Sequence, residues 1–246
     1  VALLPAGFRL QWLGHATFRL EGAGRKFLFD PFLADNPRFP KELDAELRAP
    51  GAFDALLVTH AHSDHFADTA PLLKGDPALK VIAQYEIGGY LQEQGVNADQ
   101  VIALNTGGTF DFHGIRITMV PALHTSSVEE GGKSRALGTP SGYVLRFPNG
   151  LTIYAAGDTG VTMDMQIIGD LYHPDLALLP IGDFYTMGAE QAAYALKLLA
   201  PKFVIGLHWH TWGEMPPGTP ELLEKEMARH QLTTQLIKLK PGETLV

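Results

Sequence analysis

The chain has 246 residues, 46% of them apolar and 19% charged, and a formal net charge of −8, the composition of a globular protein that buries a core unaided. It contains no cysteine, so disulfides and thiolate metal sites are excluded and any metal must sit in nitrogen and oxygen ligands. Its lysines and arginines form no block suited to nucleic acid, and its longest apolar runs are too short to span a bilayer. A cytoplasmic location fits this balance; the chain opens on Val1 and not on a methionine, and a removed leader fits that start.

Phe8 to Leu13, Thr17 to Leu20 and Lys26 to Phe29 predict short antiparallel strands, separated by Gly14-His15-Ala16 and by a turn from Gly22 to Arg25. Prolines and charges between Asp30 and Gly51 predict an irregular excursion with a short helix at Lys41 to Arg48. A buried strand, Phe53 to Val58, feeds Thr59-His60-Ala61-His62-Ser63-Asp64-His65, and a short helix follows from Phe66 to Leu73. Strands at Val81 to Gln84 and Val101 to Leu104 enclose a helix at Glu86 to Gln94. His113-Gly114 is a two-residue hairpin signal between Thr109 to Phe112 and Ile115 to Pro121, and the second arm delivers His124. Thr125 to Ser141, rich in serine, glycine and charge, reads as a long loop of the kind that is more often functional or mobile than idle.

A second hairpin, Gly142 to Phe147 and Leu151 to Ala155, ends in Ala156-Gly157-Asp158-Thr159-Gly160. Asp175 to Ile181 reads as a buried strand, and apolar residues at helical spacing from Ala189 to Ala200 predict a helix stopped by Pro201. Phe203 to Leu207 is a buried strand ending at His208. Thr219-Pro220-Glu221 starts a helix to about Arg229, with a hydroxyl cap and a proline in the first turn, and Gln235 to Leu239 closes as an edge strand. No linker or repeat interrupts the pattern, which predicts one domain over residues 1–246.

Four times an apolar strand runs out and a potential metal ligand follows: at His60, His124, Asp158 and His208. Strand ends are where α/β sheets place their sites, which points to one shared rim. Within the densest stretch His60, His62 and Asp64 alternate, so an extended chain puts them on one face, and a turn at Asp64 swings His65 towards them. His113, His173 and His230 sit in a turn, before a proline and at a helix end, positions that call for structural or solvated histidines. His15 is open between supporting a ligand and ordinary hydrogen bonding, and Asp54, at the start of the strand before His60, is a candidate to orient a ligand histidine. Trp209, His210 and Trp212 crowd the position after His208 and are candidates for a pocket wall, as is Thr159 beside Asp158.

His60, His62, Asp64 and His65 spell H-x-H-x-D-H, and with His124, Asp158 and His208 the chain resembles the metallo-β-lactamase fold hydrolases along nearly its whole length. Trp12 to Ala16, Ala156 to Gly160, Leu179 to Gly182, Thr186 to Gly188 and Pro201 to Ile205 resemble a small branch related to the ascorbate-6-phosphate lactonase and N-acylphosphatidylethanolamine phospholipase D groups; His210 departs from that branch, which usually carries a smaller residue there. The resemblance implies an αββα sandwich of two mixed sheets with outer helices. It also implies two divalent metal ions, zinc first and manganese or iron as alternatives. His60, His62 and His124 would hold one ion, Asp64, His65 and His208 the other, and Asp158 would bridge them, with Asp64 also orienting or deprotonating the attacking water.

His62 stands where the di-iron oxygen reductases of this fold carry glutamate, which favours hydrolysis, and Asp158 separates the chain from the lactamases proper. Ester or lactone hydrolysis of a small molecule is the reading preferred here, with Lys133 or Arg135 on the long loop as a cationic anchor. Phosphodiester hydrolysis is the alternative, and a metal-binding scaffold without activity is the reading from a different class. Self-association is left open.

Overall fold

The computed structural model describes residues 4–246; Val1, where a removed leader would have ended, lies outside the described residues. The chain divides into two compact units built from interleaved segments. The first takes Val1–Asn105, Thr125–Pro140 and Lys240–Val246, and the second takes Thr106–His124 and Ser141–Leu239.

In chain order, β1 (Arg9–Trp12), β2 (Phe18–Gly22) and β3 (Arg25–Phe29) form a meander in the first unit. A single helical turn, α1 (Asp44–Leu47), precedes β4 (Ala55–Leu57), and α2 (Ser63–Phe66), α3 (Thr69–Gly75), β5 (Lys80–Gln84), α4 (Tyr85–Glu93) and β6 (Val101–Leu104) follow. The second unit receives the hairpin β7 (Thr109–Phe112) and β8 (Ile115–Pro121), and the first then receives β9 (Ser127–Glu130) and β10 (Lys133–Ala136). The rest of the second unit is β11 (Ser141–Arg146), β12 (Thr152–Ala155), α5 (Asp164–Tyr172), β13 (Leu176–Pro180), α6 (Ala189–Leu199), β14 (Phe203–Leu207), α7 (Pro220–Arg229) and β15 (Gln235–Ile237). A last strand, β16 (Thr244–Leu245), returns to pair with β1 in the first unit.

Each unit holds a seven-stranded mixed sheet, in the orders β16-β1-β2-β3-β4-β5-β6 and β15-β14-β13-β12-β11-β8-β7. The first is antiparallel as far as β3 and parallel from β3 to β6. The second is parallel from β12 to β15 and antiparallel elsewhere. The mixed α/β class with two large mixed sheets is the one the sequence predicts. Each core is a sheet face covered by helices. Leu28, Leu56 and Val81 pack with Leu73, Ile87 and Leu91 in the first unit, and Tyr154, Ala177 and Val204 with Ile168, Ala192 and Leu196 in the second. No helix among the described residues is long and apolar enough to cross a membrane.

Three elements differ from expectation. Thr125 to Ser141 is not a bare loop, because it contains the β9–β10 hairpin turned by Gly131 and Gly132 with φ of +56° and +74°, the two positive values that a type I′ turn requires. Helix α5 escaped notice because apolar residues line both its sides: Met165 and Ile168 are buried, while Ile167 and Leu171 are 61% exposed, so no apolar stripe stands out. The stretch after His62 is helical from Ser63, so Asp64 leaves the extended alternation expected of it.

Gly169 marks where α5 passes α6, since a Cβ there would collide with the carbonyl oxygen of Leu198. Glycine to alanine inside a helix ordinarily stabilises by about 1 kcal/mol. At this position we expect the opposite sign, so Gly169→Ala should melt below the wild type in a thermal unfolding scan.

Candidate metal centre

In the first unit the ligand stretch is organised by a residue outside it. Strands β3 and β4 are parallel with Phe29 opposite Leu57, so both run out at the same sheet edge and Asp30 comes beside Thr59. Asp30 is 1% exposed and left-handed at φ +44°. Its carboxylate accepts from the Thr59 backbone N–H at 2.8 Å, the Thr59 hydroxyl at 2.8 Å and His65 Nδ1 at 2.8 Å. The hydroxyl's one proton is thereby committed to Asp30, so the 3.0 Å contact between Thr59 Oγ1 and His60 Nδ1 has His60 donating. With Nδ1 donating in both rings, Nε2 is the nitrogen of His60 and of His65 that can accept, from a hydrogen-bond donor or towards a metal. Burial pushes the Asp30 carboxyl above the usual carboxylate range, opposed by the neighbouring His65 and the two bonds from Thr59.

His60 Nε2 lies 3.0 Å from His62 Nδ1, and the His60 and His65 rings meet at a tilt of 50° with centroids 4.2 Å apart. His62 caps α2, which places Asp64 in the first helical turn. There His15 Nε2, fully buried, donates to Asp64 Oδ2 at 3.0 Å. His15, Asp64 and His65 each offer a ligand atom within 4.8 Å of the others. His15, open in the sequence, is therefore a partner of Asp64. Ser126 fastens the incoming hairpin segment beside the ligands, accepting from the Ala61 N–H at 3.2 Å and donating to the Leu137 carbonyl at 2.8 Å.

The second unit presents a carboxylate flanked by two imidazoles. Strands β12, β13 and β14 are parallel neighbours, so the residues after them emerge along one edge. Asp158 Oδ2 lies 3.0 Å from His208 Nε2 and 3.7 Å from His124 Nε2. Asp158 and His208 are buried, and His208 is turned off its strand in the left-handed region at φ +61°. Gly182, after β13, permits that turn, because a Cβ there would overlap the His208 carbonyl oxygen.

Several expected pocket residues have other duties. Asp54 accepts from Arg25 Nη1 at 2.9 Å and the Lys26 N–H at 2.8 Å and touches no histidine; the orienting role falls to Asp30. Thr159 is fully buried, bridging the Leu123 N–H at 3.0 Å and the Gly160 carbonyl at 2.6 Å. Arg135 forms a two-pronged pair with Glu93 at 2.6 and 2.9 Å, which holds the glutamate below its usual range, and it is committed as an anchor of the hairpin. Lys133 is exposed on β10. Trp209 donates to the Gly206 carbonyl at 3.1 Å and stands edge-on to His210 at 5.5 Å, while Trp212 is 46% exposed. Asp30 and Thr59 were not singled out from the sequence, although Asp30 follows its strand as His60 does; the adjoining Pro31 hid it at the start of an apparent loop.

Imidazole and carboxylate donors, with imidazole tautomers in the first unit set by a buried carboxylate, are of the kind that bind divalent transition metals. Residues 9–208 match the family described as "Beta-lactamase superfamily domain". A "UPF0173 metal-dependent hydrolase" of Roseiflexus sp. (strain RS-1) is 44% identical over 237 residues, 96% of each chain. Among solved structures, Igni18, a metallo hydrolase from Ignicoccus hospitalis KIN4/I, is 32% identical with a TM-score of 0.82 over 96% of this chain and 97% of that one. The metallo-beta-lactamase fold protein YhfI from Bacillus subtilis, 15% identical over 96% and 98% with a TM-score of 0.70, shares the fold. The chain belongs to the β-lactamase superfamily and, within it, to the UPF0173 family of metal-dependent hydrolases.

Replacing Asp30 with asparagine removes the acceptor shared by Thr59 and His65. Loss of such a partner should weaken metal binding by about 10–100-fold. We expect Asp30→Asn to unfold cooperatively yet titrate with Zn²⁺ at correspondingly higher concentration; wild-type affinity would show that the carboxylate does not set the ligands.

Proposed function

We propose that the chain acts as one hydrolase domain holding two divalent cations, zinc first and manganese or iron as alternatives. His60, His62 and His124 serve one position, Asp64, His65 and His208 the other, and Asp158 is shared. The observation that carries this reading is the Asp30 network, in which a buried carboxylate holds His65 directly and His60 through Thr59, both at Nδ1, so that Nε2 is the nitrogen left to serve as a ligand. A structural histidine needs no such tautomer control.

When bound, the cations supply Lewis acidity and a nucleophile drawn from water at neutral pH. The remaining work falls to the chain's own groups. Asp64, oriented by the His15 Nε2–H, takes the proton of the attacking water at its carboxylate and returns it to the leaving oxygen. Asp30 keeps His65 and His60 from rotating as charge develops. No serine or cysteine nucleophile is called for, and the acidic balance of the chain, with no cationic block, supports a small molecule bearing an ester or lactone over a phosphodiester.

The test is a panel of lactones, carboxyl esters and phosphodiesters offered to Zn²⁺- and Mn²⁺-loaded protein, with Asp158→Ala alongside. We expect turnover of esters or lactones and a loss of about 10²-fold or more in kcat for the variant. Turnover confined to phosphodiesters would replace the ester reading, and activity surviving the substitution would contradict the shared-carboxylate assignment.

A further inference from the structure

Beside the ligands of the first unit lies a cavity of about 720 Å³ whose lining includes His62 and Asp64 at one side. Its walls have a direction. Phe66 closes α2, and after the turn at residues 67–68 α3 presents Ala70 and Lys74 at four-residue spacing on one face. Within α3, at about 1.5 Å per residue, Lys74 stands roughly 6 Å beyond Ala70. Helix α4 supplies the facing row, Tyr90 and then Gln94. The Phe66 and Tyr90 rings are 6.0 Å apart, and the Lys74 ammonium is 4.0 Å from where a side chain on Gly95 would begin. The two rows thus run together from the metal ligands outward, with Val128 on the third wall.

The charge along this cavity is uneven. Its charged lining groups are Asp64 at the ligand end, Glu129 on β9 and Lys74 at the far end. The arginines of the surrounding elements are all committed: Arg135 to Glu93, Arg48 to Asp44 and Asp68, and Arg25 to Asp54. Lys74 is exposed and has no carboxylate within ion-pair distance among the described residues.

We infer that this cavity binds an amphiphilic anionic substrate: the scissile ester lies at His62 and Asp64, an apolar chain runs over Phe66, Ala70 and Tyr90, and a distal carboxylate meets Lys74. The inference rests on the hydrolase reading above and names its substrate class. It moves the cationic anchor from Lys133 and Arg135 to a residue on α3. Glu129 works against the distal carboxylate, so it tunes the preference and does not create it.

The experiment compares two p-nitrophenyl esters of equal chain length, the octanoate and the suberate monoester, on metal-loaded wild-type, Lys74→Met and Glu129→Gln proteins. We expect the wild type to prefer the suberate in kcat/KM. Lys74→Met should raise KM for the suberate about tenfold with kcat unchanged, as for loss of one charge-assisted contact, and leave the octanoate unaffected. Glu129→Gln should enlarge the preference. A suberate-to-octanoate ratio that Lys74→Met does not move overturns the inference. Calorimetric titration of the same proteins with free suberate and octanoate reads the preference without turnover. Protein that hydrolyses neither ester yet binds suberate through Lys74 would sink the hydrolase reading alone, and equal binding of the two acids would sink this one.

Discussion

The buried carboxylate of Asp30 is the constraint on which the histidine cluster depends. A carboxylate removed from water is costly unless each oxygen is bonded, and here three donors converge on it from Thr59 and His65. The arrangement follows from sheet register: because Phe29 faces Leu57 across the parallel β3–β4 pair, the residues after each strand meet at the sheet edge. A slip of one residue in β4 would turn Thr59 to the other face and leave the carboxylate without its partners. The path runs from strand pairing to hydrogen bond to tautomer, and the tautomer decides which ring nitrogen a metal meets.

The second unit uses the same device with less support. Parallel β12, β13 and β14 release Asp158, Gly182 and His208 along one edge, and the backbone at His208 accepts a left-handed turn that costs about 1–2 kcal/mol in a residue with a Cβ. His15 and Asp30 in the first unit share that conformation. Such strain persists where surrounding contacts over-determine it, and it concentrates at functional positions. In each unit the strained residues adjoin the ligand set and not the distant turns alone.

Much of this was legible in the sequence. The apolar runs before His60, Asp158 and His208 are continuous because both faces of their strands are buried, and the ligands stand out where each run stops. What could not be read was side-chain traffic across the sheet. Asp30 and Asp54 both flank strands next to the ligand stretch, and only strand direction tells which one meets a histidine. The β9–β10 hairpin was missed because its residues are polar and largely exposed, so only Gly131-Gly132 betrays it. Arg135 and Lys133 looked like free cations for want of any sign that Glu93, on a helix far away in sequence, claims the arginine.

The central proposal is that the chain's ligand histidines and carboxylates hold two divalent ions. Titration of metal-free protein with Mn²⁺, followed by electron paramagnetic resonance, tests it most directly. The account predicts binding that saturates at about two ions per chain, with a broad spectrum from a spin-coupled pair. Saturation at a single ion, or two ions giving only the sharp hyperfine pattern of isolated Mn²⁺, would contradict it.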